Sequence, residues 1–355
     1  MNNRLFVDFH VLQTVPPSCV NRDDTGRPKT AVYGGTTRAR VSSQSWKHAI
    51  REYFTTHIPE FDLGKRTKRI VGLVADAIHE LRADLDEEKT LKMAENALKN
   101  AGLKIKSADK GTDALFFISN EQVKALAELA VSGETGKKKY AEALKIHPSI
   151  DMVMFGRMVA SDPSLNYDAT VQVAHSISTH TVHTEYDYFT AVDDCSSEDN
   201  AGAGHLGTTE FNSATLYRYA TINVSELKKF AGERTAEAVS DFARAFVQSM
   251  PTGKINAYAN FTVPDDVYIT VRRDQPINLC GAFERPVRSK AEGYVKGSES
   301  AFNDYTQKVY TNFAEAPAAA FGTGDGTATL IDTEPLSQVF DDLQTYLEKV
   351  LRSVQ

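Results

Sequence analysis

Residues 20–51 read VNRDDTGRPKTAVYGGTTRARVSSQSWKHAIR. This segment predicts a polar loop, a Gly-Gly turn, a short basic strand and a helix that begins at Ser42 or Ser43 and runs to about residue 57. Free backbone N–H groups and the macrodipole at a helix start favour a phosphate. One face of the predicted helix carries polar and basic side chains at helical spacing: Gln44, Lys47, His48 and Arg51.

The local charge of this region differs from that of the whole chain. The formal net charge is −7, yet residues 1–58 carry eight Lys/Arg against four Asp/Glu. A capped surface helix with a solvated basic face is the alternative interpretation of the helix alone. Further cations in the preceding loop and strand favour binding of a phosphate-rich ligand, namely Arg22, Lys29, Arg38 and Arg40.

Composition excludes several classes of protein. Of 355 residues, 41% are hydrophobic and 25% charged, which is typical of a globular protein. No apolar run is long enough to span a bilayer, and the first residues alternate like a strand rather than a signal peptide. Cys19, Cys195 and Cys280 are far apart and form no CxxC pair, so we expect neither a disulfide framework nor a zinc ribbon. We expect a cytoplasmic protein.

Hydrophobic periodicity gives a coarse element order for the first half of the chain. A strand is predicted over residues 5–11, followed by a long polar loop over 14–37. From about 60 to 148 helical periodicity dominates, which indicates a helical insertion. The individual segments predicted there and just after it are helices at 66–84, 88–100 and 120–131, a strand at 150–158, and helix or strand at 171–181.

The second half begins with an unusual segment at 184–215, which carries seven Asp/Glu and no Lys or Arg up to residue 217. Two aromatic arms flank a polar, Gly-rich tip, which predicts a long hairpin or an extended loop. Strands at 216–224 and 267–271 follow, with helical sequence from 225 to 249, at 297–313 and at 333–351. This α+β order predicts a ferredoxin-like sheet, the fold of RNA-recognition motifs, with the helical insertion and the hairpin as additions.

Motifs for catalysis or metal binding are weak. Asp23 and Asp24 could be an acidic metal-binding pair of a nuclease, but adjacent Asp residues rarely face one ion together, and Arg22 can pair with either. The spacing of His175, His180 and His183 is not that of a zinc site, so we interpret them as structural or surface histidines. No nucleophile elbow, P-loop or dinucleotide motif is present. The sequence therefore predicts no catalytic residue, no metal and no cofactor.

Several long strings resemble the CasC family, the backbone subunits of the type I-E CRISPR Cascade complex. They are PSCVNRDD at 17–24, VYGGTTRARVSSQSWKHAIR at 32–51, FGRM at 155–158, AHSISTH at 174–180, YFTAVDD at 188–194 and HLGTTEFNSATLYRYATINV at 205–224. Residues 60–148 and the chain beyond about 290 match only in general character. Thr36 and Thr37 stand where relatives can carry basic residues.

The resemblance implies a hand-shaped, non-catalytic protein with an RNA-recognition-like palm, a helical finger region and a thumb hairpin. It implies a helical filament of several copies along the CRISPR RNA, which kinks the guide at regular intervals and presents it to invader DNA for R-loop formation in antiviral defence. The implied partners are CRISPR RNA, target DNA, further copies of the chain and the subunits CasA, CasB, CasD and CasE. The implied domains are palm at 1–59, 149–183 and 216–355, finger at 60–148 and thumb at 184–215.

The resemblance also implies roles for individual residues of this chain. The implied guide-RNA contacts are Arg22, Lys29, Ser42, Gln44, Lys47, Arg51, Met158, Phe189, Thr190 and Leu206. The implied contacts to target DNA are Lys137, Lys138, Lys139 and Lys145. From the lysine run alone, a solvated helix face is the favoured interpretation. Likewise, the aromatic arms of 184–215 could fold back on the core rather than wedge between bases.

Two other functions stay open. A metal-dependent ribonuclease, as in related type III backbone subunits, would use Asp23, Asp24, Asp193 or Asp194. A stand-alone RNA-recognition protein would bind short RNA as a monomer with base preference, but simple recognition domains lack the hairpin and the helical insertion.

Overall fold

The computed structural model describes residues 4–58, 62–107, 111–160, 162–191, 205–289 and 291–353, with the side chains at 191, 205 and 206 excepted. The chain forms two compact units. The first unit comprises residues 1–53, 173–225 and 234–355, and the second comprises residues 54–172 and 226–233.

The strands are β1 (Phe6–Ser18), β2 (Thr30–Tyr33), β3 (Thr36–Val41), β4 (Lys65–Thr67), β5 (Ile105–Ser107), β6 (Gly111–Thr112), β7 (Phe116–Ile118), β8 (Val171–Val173), β9 (Ser176–Ser178), β10 (Glu185–Ala191), β11 (His205–Asn223), β12 (Asp266–Arg272) and β13 (Ala319–Thr323). The α-helices are α1 (Ser43–His57), α2 (Ile70–Leu81), α3 (Glu87–Asn100), α4 (Asn120–Val131), α5 (Lys137–Ala143), α6 (Ile150–Phe155), α7 (Val224–Ala231), α8 (Thr235–Gln248), α9 (Ile255–Tyr258), α10 (Val295–Asn312) and α11 (Leu336–Arg352).

A large antiparallel sheet organises the mixed α/β fold. Its main path runs β13-β12-β1-β11-β9-β3-β2, with β10 and β8 also paired to β11. The strand β1 pairs with β11 on one side and β12 on the other, both antiparallel. The first strand of the sequence is therefore an interior strand of the sheet, paired on both sides with segments from the second half of the chain.

One face of the sheet packs on aromatic and aliphatic side chains of helices. The Phe9 ring of β1 lies 5.4 Å from the Phe242 ring and 6.0 Å from the Phe246 ring, centroid to centroid, both on α8. On the same face the Arg218 guanidinium of β11 lies 3.8 Å above the Trp46 ring of α1. The Trp46 Nε1–H donates to the Ser176 hydroxyl at 2.9 Å, which fixes α1 to β9.

The opposite face is also covered. His10, Tyr217 and Tyr268 lie there, with the Phe302 ring of α10 within 6.1 Å of each of the three rings, centroid to centroid. Tyr217, Tyr219 and Tyr268 are only 2%, 7% and 3% exposed. Both faces of the sheet are therefore packed around β1, β11 and β12, and the aromatic side chains named here are buried.

The second unit has its own apolar core. Helices α2, α3, α4 and α5 contribute buried side chains to it, among them Ile78, Leu98, Leu126 and Tyr140. The helix α4 begins with a capping box, in which Ser119 and Gln122 bond each other's backbone N–H. The short antiparallel pairs β4-β7 and β5-β6 complete the unit.

The structure confirms the predicted α1, α10, α11 and β12, the three helices within 66–131, and the hairpin of β10 and β11. Two predictions are wrong. The strand predicted at 150–158 is the helix α6, which Gly156 ends at φ +78°. A short apolar run fits either structure, and a left-handed glycine is typical of a helix end.

The loop predicted over 14–37 is the second error, because β1 continues to Ser18 and β2 begins at Thr30. Gly34 and Gly35 join β2 to β3 with φ values of +59° and +74°. This pair of positive φ angles is that of a type I′ hairpin turn. A Cβ on Gly34 would lie 1.7 Å from the Glu284 carbonyl oxygen, so only glycine fits there.

Within the described residues, no helix combines the length and the apolar character needed to cross a membrane.

Candidate nucleic-acid interface

The loop that follows β1 is tied to the start of α1 by Asn21. Its Oδ1 accepts a hydrogen bond from the Ser42 backbone N–H at 2.9 Å, and its carbonyl accepts one from the Lys29 N–H at 2.8 Å. The Lys29 carbonyl in turn accepts from the Arg40 N–H at 2.9 Å. Three segments that the sequence separates therefore meet at one corner of the sheet.

Asp23 has a local structural task in this loop. Its Oδ1 accepts from the backbone N–H groups of Thr25 at 2.9 Å and Arg27 at 3.0 Å, and from the Thr25 hydroxyl at 2.8 Å. These bonds, first of all the one from the Thr25 hydroxyl, lower the pKa of the Asp23 carboxyl. Arg27 pairs with Glu210 of β11 at 2.8 Å. Across the described ranges, no three His, Cys, Asp or Glu side chains form a group that could hold a metal ion.

The first turn of α1 is partly occupied by protein groups. Ser42 is buried, and its Oγ accepts from the Ser45 N–H at 3.4 Å, so Ser42 caps the helix. The Ser43 N–H donates to His175 Nδ1 at 3.2 Å. The expectation of free N–H groups at this helix start is thus wrong for Ser43 and Ser45, since both have partners within the fold.

His175 is exposed and bonds the backbone at the start of α1, in line with the structural or surface role expected for it, and with Lys29 and Arg40 it forms a cationic cluster. Its Nδ1 lies 3.4 Å from Arg40 Nη1 and accepts from Ser43, so the proton of the neutral ring is assigned to Nε2. Burial first, and then the charges of Arg40 and Lys29, lower the pKa of His175. Two cations and a neutral imidazole therefore surround the start of α1.

A small cavity beside this cluster is lined by Asn21, Lys29 and Arg40 together with Asn212 of β11. The Asn212 side chain is 9% exposed, and its Nδ2 has no hydrogen-bond partner among the described residues. The cavity measures about 20 Å³, which is room for a single water molecule at this donor. No sequence pattern pointed to Asn212.

Arg38 does not belong to this surface, which corrects the sequence-based interpretation. It is 0% exposed, and its guanidinium donates to the carbonyls of Ser178 at 2.9 Å and Phe283 at 2.8 Å. Arg38 and Arg40 lie on the same side of β3. The Arg38 guanidinium is enclosed by carbonyl acceptors, whereas Arg40 is partly exposed.

The remaining predicted contacts on α1 lie along one side of the helix. Gln44 is exposed, and Lys47 and Arg51 are each partly exposed. Arg22 in the preceding loop is exposed as well, whereas Lys29 is half-buried. The first unit thus holds Arg22, Lys29, Ser42, Gln44, Lys47 and Arg51 in the loop, β3 and α1 region that the sequence indicated.

The hairpin carries Phe189 and Thr190 on β10. Phe189 lies opposite Gly207 of β11 and Thr190 opposite Leu206 in the strand register. A Cβ on Gly207 would lie 2.4 Å from the Phe189 Cζ, so the ring lies across the glycine. Tyr186, Tyr188 and Phe189 are 69%, 62% and 44% exposed. The Leu206 side chain and residues 192–204 lie outside the described residues.

Met158 belongs to the second unit and is 86% exposed. The preceding Arg157 is 3% exposed and donates to the carbonyls of Leu165 at 2.8 Å and Leu144 at 2.7 Å, and to Gln122 Oε1 at 3.1 Å. Burial lowers the pKa of Arg157 to about 10. The buried guanidinium therefore anchors the backbone that presents Met158 to solvent.

The predicted DNA-contacting lysines are all exposed on the second unit. Lys137, Lys138 and Lys139 form the first turn of α5, and Lys145 follows its end. Lys139 pairs with Glu134, whose pKa falls to about 2, chiefly through that hydrogen bond.

The chain is similar to known proteins over nearly its whole length. The family model described as "CT1975-like protein" matches residues 7–346. A chain of a solved "CRISPR RNA-guided surveillance complex, pre-nicking" is similar, with 32% identity, a TM-score of 0.82, and coverage of 96% of this chain and 99% of that one. A chain of another "CRISPR RNA-guided surveillance complex" has 28% identity and a TM-score of 0.62, with the same coverage. No curated protein matches the sequence.

Proposed function

We propose, from the premise that the chain belongs to the CT1975-like protein family, that it is a non-catalytic CRISPR-RNA-binding subunit of a CRISPR surveillance complex. Several copies stack as the helical backbone of a type I-E Cascade. They hold the guide by its phosphates, kink it at regular intervals and present it to target DNA. CasA, CasB, CasD and CasE are the proposed partner subunits.

The cationic cluster at the start of α1 carries this proposal. Lys29 and Arg40 line the same cavity as the unsatisfied amide of Asn212, and His175 lies beside Arg40. Lys47 and Arg51 continue the polar face of the helix. These are donors without base selectivity. A guide whose spacer varies must be held through phosphate and sugar, with its base edges left free for pairing.

The covered sheet supports backbone binding over base recognition. An RNA-recognition motif stacks bases on aromatic side chains of an open sheet face. Here the corresponding candidates, Tyr217, Tyr219 and Tyr268, are buried beneath α10. This observation disfavours the stand-alone recognition protein, because its base-reading surface would be occupied by the chain itself.

The strand order supports the ferredoxin-like palm. Along the chain, β1, α1, β9, β11, α8 and β12 give a βαββαβ succession, and the order β12-β1-β11-β9 makes one antiparallel sheet. Residues 1–59, 149–183 and 216–355 are the proposed palm, 60–148 the finger and 184–215 the thumb. Met158, Phe189, Thr190 and Leu206 are proposed to contact the kinked guide, and the lysines at 137–139 and 145 the target DNA.

The ribonuclease alternative has less support. The Asp23 carboxylate is already the acceptor for a tight turn and an N–H of Arg27, so it is poorly placed to coordinate a metal. Asp193 and Asp194 lie outside the described residues.

The experiment compares RNA binding by the wild-type chain with the Lys47→Ala and Arg51→Ala variants, with Lys308→Ala as a control on the exposed face of α10. Fluorescence anisotropy is measured with two single-stranded RNAs of unrelated sequence over a series of salt concentrations. Each palm variant should weaken binding to both RNAs equally and reduce the slope of log K against log salt by about 0.7 per lost phosphate contact.

The control should bind like the wild-type chain. Unchanged affinity and slope in both palm variants would refute the proposed interface. A loss that depends on RNA sequence would instead favour a base-reading protein.

A further inference from the structure

A second groove lies beside the hairpin, away from the start of α1. It is bounded by Asp187 and Phe189 of β10, Thr209 of β11, and the turn that contains Lys254 and Tyr258. Its volume is about 580 Å³, within the range of about 300–1,000 Å³ typical of small-ligand sites. None of the sequence strings that carried the resemblance includes Lys254 or Tyr258.

Lys254 is held in an uncommon backbone conformation. It lies at φ +47°, as does Ala259 after the short helix α9. Left-handed conformations in residues other than glycine cost energy and persist where the surrounding structure enforces them. The adjacent Gly253 is closely packed, since a Cβ there would lie 2.1 Å from the Val20 carbonyl oxygen. The turn is therefore pressed against the backbone that leads into the Asn21 loop.

This packing brings two cations toward one place. Burial raises the pKa of the Cys19 thiol, and the charges of Lys254 and Arg22 both act against that rise. Arg22, already proposed to contact the guide, and Lys254 of the groove are therefore near the same side chain. The carboxylates of Asp23 and Glu210 act on the same thiol in the opposite sense.

The groove offers both parts of a nucleotide site. The Lys254 ammonium donates a hydrogen bond to the Thr209 hydroxyl on the wall of the groove. This bond uses one of the three N–H donors of the ammonium group. The Phe189 and Tyr258 rings give apolar surface, and the Tyr258 hydroxyl is buried with no hydrogen-bond partner among the described residues. A buried hydroxyl of this kind gains a partner when a polar ligand enters.

We propose that this groove binds one nucleotide of single-stranded RNA, with Lys254 on a phosphate oxygen and the base against the Phe189 and Tyr258 rings. This inference rests on the proposed function and extends the RNA path from the loop at Arg22 to the base of the hairpin. Aromatic stacking accepts any base, so the groove suits a guide of variable sequence.

The test uses the full chain and a fluorescent single-stranded RNA of mixed sequence in a salt series. Lys254→Asn removes the charge with a residue that tolerates a left-handed φ, Lys254→Arg keeps the charge, and Lys296→Ala is the control on exposed α10 sequence. Lys254→Asn should weaken binding about tenfold and reduce the salt slope by about 0.7. Lys254→Arg and Lys296→Ala should bind like the wild-type chain.

Wild-type affinity in Lys254→Asn, together with weakened binding in Lys47→Ala, would overturn the groove and leave the proposed function standing. No RNA binding by the wild-type chain would overturn both. Photo-crosslinking of 4-thiouridine RNA to the wild-type chain needs no variant to fold. A crosslink to the peptide with Tyr258 is expected, and crosslinks confined to α1 and the hairpin would refute the groove.

Discussion

Asn21 and Ser42 are joined by a hydrogen bond of 2.9 Å between the Asn21 Oδ1 and the Ser42 backbone N–H. The same asparagine receives the Lys29 N–H on its carbonyl. One side chain therefore sets the position of the Arg22 loop relative to α1. The proposed interface depends on this bond, although Asn21 carries no charge.

Replacing Asn21 with alanine should lower RNA affinity more than it lowers the stability of the fold. The buried Ser42 N–H loses its acceptor, which should cost about 1–2 kcal/mol in the free energy of unfolding. RNA affinity should fall by more than the loss of stability explains, because the loop that carries Arg22 loses its side-chain bond to the start of α1. Denaturant unfolding and anisotropy measure the two effects. Asn312→Ala, at an exposed site on α10, is the control, and equal RNA affinity in both variants would contradict this role.

Gly207→Ala tests the position of the Phe189 ring. The added Cβ would lie 2.4 Å from Cζ, the far end of a half-exposed side chain, so the ring should swing away at a cost within about 0.5 kcal/mol. Thermal stability should barely change. In the assembled complex, the guide nucleotides at the proposed regular kinks should become less reactive to chemical probes. Gly72→Ala, with open space around its Cβ, is the matched control. An unaltered probing pattern in Gly207→Ala would argue against a thumb role for this ring.

Buried His10 should make the first unit sensitive to acid. Burial first, and then the charge of Arg272, lower the pKa of His10 to about 3 from 6.5. The unfolded chain therefore binds the proton more readily, and stability should rise with pH from about 3 to 6.5 and be complete above that range. Asp8 acts in the opposite sense, because burial raises its pKa from 3.8 to about 6, so its contribution falls with rising pH between those values.

The pKa change of His10 is larger than that of Asp8. Together, the two groups should therefore make the first unit less stable as the pH falls. Thermal melts at pH 4 to 8 should show a smaller acid loss for His10→Gln than for the wild-type chain. Gln keeps a hydrogen-bonding group for the Tyr217 hydroxyl, which now lies 2.8 Å from His10 Nδ1. His48→Gln on exposed α1 should reproduce the wild-type profile. Identical profiles for both variants would assign the acid loss to other groups.

Substitutions at the adjacent residues Arg157 and Met158 should affect different properties: the first lowers stability and the second weakens guide binding. Arg157→Lys keeps the charge but loses the planar fork that reaches Leu144, Leu165 and Gln122. We expect a loss of about 2–4 kcal/mol in the stability of the second unit, because buried acceptors lose their donors. Met158→Ala at the exposed site should leave stability within about 0.5 kcal/mol and weaken guide binding. Limited proteolysis within 54–172 and RNA anisotropy distinguish the two results.

The local part of the fold could be read from the sequence. The helix α1 was predicted from the serine cap and the spacing of its polar face, and Trp46, Ile50 and Phe54 on its other side are buried. The hairpin of β10 and β11 followed from its aromatic arms and polar tip. The same reasoning failed at α6, since six residues are too few for periodicity to separate helix from strand.

The candidate site was only partly predictable. The loop, Lys29 and the α1 face were indicated by local cationic composition, whereas Arg38 was grouped with them and is buried under carbonyl acceptors. His175, Asn212 and Lys254 carried no local pattern. Each is brought to its place by a contact between residues far apart in sequence, such as the bond from Ser43 to His175.

Short-range features follow from the sequence alone, namely the cap, the turn, the helix face and the sign of the local charge, because they depend on neighbours within a few residues. The solvent exposure of individual cations and the covering of the sheet tyrosines by α10 follow from long-range packing. The pairing of β1 with β11 and β12 joins segments some 200 residues apart or more. Burial and charge clustering across such distances follow from the packing of the whole sheet, which no local pattern encodes.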